Sequence, residues 1–285
     1  MKTLYVTDLD GTLMRNDKTL SDRTIRTINS LIDQGMIITY ATARSFHSAW
    51  EITRDIHFSV PVITRNGTVL ADQIQKRETD ISRFGDGDVN QLRQMLSGII
   101  EPMGFVTAYF DGHMTKSYRQ GELSIGLQKY VDDHSNDKRM RPVTGDIDLF
   151  AGIVTYVTLI AEKEELQPIY EKVRNAGNWE CVFQKDTYGE EYWLEICPCG
   201  ATKAKAVLRC KERLGCDRVV VFGDSVNDLS MFAVADEAYA VANGIDEVKE
   251  KATRIIDSNE EDGVAKFLMK EWKNLSLQTV SNTPQ

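Results

Sequence analysis

The sequence predicts an α/β fold: a doubly wound parallel sheet with a separate α+β domain inserted into it. Three observations predict it. Short β-branched runs alternate with helical patterns in both the N-terminal and the C-terminal third. The middle, from about Phe84 to Glu191, instead carries longer strand patterns that alternate residue by residue. The length of 285 residues is near two domains at roughly 150 residues each.

Leu4-Tyr5-Val6 is the first strand candidate. Ser21 to Gln34 reads as a helix, with Ser21 as N-cap and Gly35 as the stop. Met36 to Ala41 is the next strand, Ser45 to Ile56 the next helix and Val60 to Thr64 a third strand. This βαβαβ order expects one parallel sheet with helices on both faces. The C-terminal third repeats it. Lys203 to Leu214 is helical, Arg218 to Phe222 a strand, Asp228 to Ala235 helical and Ala238 to Val241 a strand; Ile245 to Ala252 and Gly263 to Trp272 close it. In the middle, Phe105 to Phe110, Met114 to Tyr118, Ile153 to Ile160 and Cys181 to Gln184 read as strands. Val89 to Glu101, Leu123 to His134 and Lys163 to Ala176 read as helices. The expected division is residues 1–83 with 192–273 as the core, 84–191 as the insertion, and 274–285 as a polar tail.

Composition narrows the function classes. With 42% hydrophobic residues and this length, a full core needs neither disulfides nor structural metals. The net charge of −9 argues against nucleic acid or an anionic membrane as a partner. A small molecule remains, and the oligomeric state is open. Met1-Lys2 leads straight into an apolar run ending at Asp8, with no room for a signal-peptide core. The apolar stretch Gly152 to Ala161 is too short to span a bilayer. Five cysteines without a CxxC pair read as reduced thiols, which makes the expected location cytoplasmic. His47, His57, His113 and His134 match no metal-ligand spacing and read as surface or packing residues.

Four polar clusters follow apolar strands, where open α/β sheets bind ligands. They are Asp8-Leu9-Asp10-Gly11-Thr12, Thr42-Ala43-Arg44, Asn66-Gly67, and Gly223-Asp224 with Asn227 and Asp228 close behind. Asp8 and Asp10 stand two apart at a strand end, so they point the same way. Adjacent carboxylates repel unless a cation lies between them. Asp224 and Asp228 add more negative charge. Several acids without a histidine imply a hard cation bound by oxygen, Mg²⁺ being the usual one. With Mg²⁺ present, one carboxylate can attack phosphorus and the other can serve as acid and then base. Lys203 and Thr42 can hold phosphate oxygens.

These residues resemble a known family. Asp8-Leu9-Asp10-Gly11-Thr12-Leu13 resembles the first motif of the haloacid dehalogenase superfamily, and Thr42-Ala43-Arg44 the second. Gly200-Ala201-Thr202-Lys203 resembles the third, and Gly223-Asp224-Ser225-Val226-Asn227-Asp228 the fourth. Their order resembles the Cof-like branch, with its Rossmann-like core and a type C2B cap between motifs two and three. Val241-Ala242-Asn243-Gly244 and Asn259 to Ala265 resemble the end of that branch. Four motifs in order are far more specific than one. The resemblance implies a Mg²⁺-dependent phosphatase acting on a small phosphorylated metabolite, such as a sugar phosphate. Asp8 would be the nucleophile and Asp10 the acid/base. Asp8, Asp224 and the Asp10 carbonyl would ligate the metal, with Asp228 orienting its waters. Thr42, Ala43, Arg44, Lys203 and Asn227 would form the phosphate-binding set, where Ala43 departs from the usual glycine. The cap would close over the site and set specificity.

Blander readings stand beside these. An aspartate pair at a strand end can simply cap turns, Arg44 can pin its loop, and Asn66-Gly67 is a turn signal first. A phosphomutase shares the aspartyl-phosphate. A non-catalytic phosphometabolite-binding regulator shares the fold, but it need not keep Asp8, Asp10, Lys203 and Asp224 together.

Overall fold

The computed structural model describes residues 1–177 and 179–281. The first stretch of chain forms β1 (Thr3–Thr7), α1 (Asp22–Asp33), β2 (Ile37–Tyr40), α2 (Phe46–Thr53), β3 (Val62–Thr64), β4 (Val69–Asp72) and β5 (Arg77–Ile81). Next come α3 (Asp86–Leu96), α4 (Ile100–Met103), β6 (Gly104–Phe110), β7 (His113–Arg119), α5 (Ile125–Asp133), β8 (Met140–Val143), β9 (Ile153–Ala161), α6 (Lys163–Ala176), β10 (Trp179–Lys185) and β11 (Tyr192–Pro198). The last stretch forms α7 (Lys203–Leu214), β12 (Arg218–Gly223), α8 (Leu229–Phe232), β13 (Glu237–Val241), α9 (Asp246–Lys251), β14 (Arg254–Ile256) and α10 (Gly263–Ser281). Two compact units result: Met1–Asp80 with the chain from Thr202 on, and Ile81–Ala201.

The first unit is built on a five-stranded parallel sheet in the order β14-β13-β12-β1-β2. Its strands alternate strictly between two cores, because successive side chains leave opposite faces. Tyr5, Ile38, Val220, Phe222 and Tyr239 pack against Ile28 and Leu31 of α1, Phe46 of α2, and Val264 and Leu268 of α10. Leu4, Val6, Val219, Val221 and Ala240 pack against Val207 and Cys210 of α7, Met231 of α8 and Val248 of α9. Helices thus cover both faces, as a doubly wound sheet requires. Each fully buried large apolar side chain contributes about 1.5–3 kcal/mol. Helix α1 starts where Ser21 accepts a hydrogen bond from Thr24 N, and the chain turns at Gly35 with φ +97°.

The second unit holds a six-stranded sheet in the order β10-β11-β9-β6-β7-β8, antiparallel except for the β7–β8 pair. Leu92 of α3, Ile100 of α4, and Leu166 and Val173 of α6 pack on one face against Val106, Val157 and Leu194. Leu127 of α5 packs on the other, with Phe105 and Ile160.

Several expectations need correction. The third expected strand, β3, does not extend the five-stranded sheet. One parallel bridge, Ala41 to Ile63, is its link to the chain after β2. It pairs antiparallel with β4 in a three-stranded sheet with β5, because the Arg65–Gly67 turn folds an apolar strand back onto it. The single helix expected over Val89 to Glu101 breaks into α3 and α4 at Gly98, whose φ is +74°. The helix expected over Asp228 to Ala235 is the shorter α8. The chain leaves the inserted unit after residue 201, not at 192, because β11 pairs with both β9 and β10. The tail expected from 274 is helical through Ser281, and residues 282–285 lie outside the described residues.

Candidate active site

β1 and β12 are neighbours in register, Thr7 opposite Phe222. Asp8 and Asp224 therefore leave adjacent strand ends, and Asp8 N donates to Phe222 O at 2.9 Å. The Leu9–Leu13 loop turns through Gly11 at φ +75°. A Cβ there would lie 2.4 Å from Asp224 Oδ2, so the loop can press on Asp224 with glycine alone. Thr12 Oγ1 donates to Asp224 Oδ1 at 2.6 Å.

Lys203 is the first residue of α7, behind its N-cap Thr202. Its side chain is 1% exposed, and its ammonium bridges Asp8 Oδ1 at 2.6 Å and Asp228 Oδ1 at 2.7 Å. Asp228 is fully buried, and its Oδ2 accepts from Asp224 N and Ser225 N at 2.9 and 3.1 Å. Each of Asp8, Asp224 and Asp228 offers an oxygen, and these oxygens lie within 4.8 Å of one another.

Three buried carboxylates thus face one buried ammonium. Burial pushes the Asp8 carboxyl well above its ordinary range; Lys203 opposes this, and Asp228, Asp224 and Asp10 add to it. Burial, then Asp228, push Asp224 up to about 8, against Thr12 and Lys203. Lys203 is raised: burial works against its charge, but Asp228 and Asp8 outweigh it. Burial and mutual repulsion thus disfavour the charged forms of Asp8 and Asp224, which Lys203 offsets only in part. An all-oxygen donor set whose charged form lacks a second compensating cation fits a hard divalent cation and not a soft one.

Asp10 lies apart from this trio. Its carboxylate takes a fork from Arg44, with Nε at 2.8 Å and Nη2 at 2.6 Å. Arg44 thus ties its own loop to Asp10. Thr42 is buried, and its Oγ1 accepts from Arg44 N at 3.1 Å. Ala43 sits half-buried between them. Asn227 donates from Nδ2 to Asn66 Oδ1 at 3.2 Å. Two contacts are not foreseeable from sequence pattern. Thr12 belongs to the first motif, which gives it no role of its own. Asn243 donates to Gly11 O at 2.7 Å across 232 positions, and no local pattern signals such a pairing.

Acids clustered at the carboxyl ends of parallel strands, with a buried lysine among them, stand where open α/β sheets bind their ligands. The chain belongs to the haloacid dehalogenase-like hydrolases, whose family model matches residues 5–268. Among curated relatives, 5-amino-6-(5-phospho-D-ribitylamino)uracil phosphatase YitU of Bacillus subtilis is 28% identical, over 95% of this chain and 98% of that protein. Pyridoxal phosphate phosphatase YbhA of Escherichia coli is 25% identical, over 92% and 95%. A solved haloacid dehalogenase-like hydrolase from Bacteroides thetaiotaomicron, 23% identical, matches with a TM-score of 0.74 over 95% of this chain and 99% of that one; that likeness is one of fold. Among the described residues, no helix is long and apolar enough to cross a membrane.

Proposed function

We propose that this hydrolase is a Mg²⁺-dependent phosphatase that cleaves a small phosphorylated metabolite through an aspartyl-phosphate on Asp8. The substrate class is a sugar phosphate or a similar phosphomonoester. The observation that carries this is the buried trio Asp8, Asp224 and Asp228 with Lys203 between two of them. The names of the relatives support the phosphate chemistry.

In this reading an Asp8 oxygen attacks phosphorus, and the bond from phosphorus to the leaving oxygen breaks. Asp10 gives its proton to that leaving oxygen. Water then attacks the phosphorus of the aspartyl-phosphate, Asp10 takes its proton, and Asp8 returns as carboxylate. Lys203, Thr42 and Asn227 hold the phosphate oxygens. Arg44 fixes the direction of Asp10. Asp8, Asp224 and the Asp10 carbonyl would hold Mg²⁺, with the Asp228 carboxylate beside them. Bound there, Mg²⁺ offsets the charge of acid and phosphate so that one anion can approach another. Acid–base help from Asp10 is worth about 10²–10⁴ in rate, and charge stabilisation must supply most of the remainder.

The test is phosphate release from a panel of phosphomonoesters with Mg²⁺. The panel includes sugar phosphates, the phosphoribitylamino-uracil named for YitU, and pyridoxal phosphate. Asp8→Asn should abolish release while its circular dichroism matches wild type. Wild-type turnover by that variant would sink the mechanism.

A further inference from the structure

We infer that Asn66 is a positioning residue that holds Asn227 in the phosphate-binding arrangement, a role that rests on the phosphatase reading above. Arg65, Asn66 and Gly67 are three consecutive residues in the left-handed region, with φ of +48°, +51° and +93°. Side-chain-bearing residues rarely adopt it, and such strain persists where the surroundings over-determine it.

Here they do. Arg65 N donates to Arg44 O at 2.9 Å, and Asn66 N donates to Thr42 O at 3.0 Å. Arg209 of α7 donates from Nη2 to Gly67 O at 3.0 Å. Gly67 packs so tightly on the start of α7 that a Cβ would lie 2.1 Å from Thr202 O and 2.9 Å from Lys203 N. The Asn66 side chain, in a residue 2% exposed, accepts from Asn227 Nδ2 at 3.2 Å. One strained turn therefore touches the segments carrying Thr42, Lys203 and Asn227.

The residue type carries the argument further. A left-handed position is most easily filled by glycine. Glycine would satisfy every backbone contact of this turn, but it would take the amide oxygen away from Asn227. Asparagine tolerates the same conformation and brings that oxygen. The side chain thus has a task that the turn itself does not need.

Asn66→Gly separates the two, because it keeps the conformation and deletes the amide. The readout is inhibition by inorganic phosphate of p-nitrophenyl phosphate hydrolysis with Mg²⁺. The inhibition constant of Asn66→Gly should rise by about threefold to tenfold, the worth of one lost hydrogen bond. Asn227→Ala should weaken phosphate similarly, and the double variant should be no weaker than Asn227→Ala alone. This non-additivity is the readout that a merely structural role would not move. A wild-type inhibition constant in Asn66→Gly, or effects that add in the double variant, overturns the assignment while the phosphatase reading stands. A wild-type protein that neither binds phosphate nor hydrolyses any ester of the panel overturns that reading, and this inference with it.

Discussion

Lys203 shows how much one residue can carry. It sits at 1% exposure between Asp8 and Asp228. Removing one partner of a buried ion pair leaves the other charge uncompensated, at a cost of about 3–5 kcal/mol. Lys203→Met should therefore lower stability by about 3 kcal/mol in urea unfolding and reduce phosphate release by about 100-fold or more, the effect of losing one charge-stabilising group. Arg44→Lys should act differently. A lysine cannot reproduce the two-point fork on Asp10, so turnover should fall with little change in unfolding midpoint. Away from this site, Asp137 offers a pH test. Burial would raise its carboxyl, but the Arg139 guanidinium and N–H, with Lys116, hold it well below the usual range. A depressed folded pKa stabilises above the unfolded value of about 4, and this is lost as pH falls through the folded value. Asp137→Asn should thus cost about 1–2 kcal/mol at neutral pH, and the difference from wild type should shrink in acid unfolding series below about pH 4.

At the scale of elements, two glycine turns with nearly equal φ separate strain from collision. Gly35 follows α1 at φ +97°, and a Cβ placed on it would meet nothing within 4 Å; Gly67 has φ +93°, and its Cβ would meet Thr202 O at 2.1 Å. Gly35→Ala should cost about 1 kcal/mol, the strain of the left-handed backbone. Gly67→Ala should cost clearly more and should displace α7, so phosphate release should fall in that variant and not in Gly35→Ala. Equal midpoints for the two in thermal unfolding would contradict the close approach. The element boundaries show where sequence patterns are legible. Helix α1 follows from its helical pattern and the end signals at Ser21 and Gly35, and α5, α6 and α7 from their helical patterns. The break at Gly98 and the short strands β4, β5, β8 and β14 do not. Each of those strands is three to five residues long and is stabilised by its pairing partner, so its own residues carry little periodic signal.

Across the whole molecule, two units with their own cores predict that Mg²⁺ acts on one of them. Binding to the folded state stabilises in proportion to the logarithm of ligand concentration over its dissociation constant. Millimolar Mg²⁺ should raise the unfolding temperature of the unit carrying Asp224, chelation should reverse this, and Asp224→Asn should abolish it. Hydrogen exchange in Ile81–Ala201 should be unchanged by Mg²⁺. The α/β class, the presence of an insertion and the acids that follow the first and later strands can all be read from the chain alone. Those signals are local: a β-branched run, a turn, a carboxylate two residues from another. Which acids meet is settled only in three dimensions. Asp8, Asp224 and Asp228 share one small space while Asp10 turns to Arg44, because the register of β1 against β12 and the close approach of Gly11 to Asp224 set those distances. The same holds for the membership of β11 in the insertion, since strand pairing is a contact between separate segments and leaves no mark in either one.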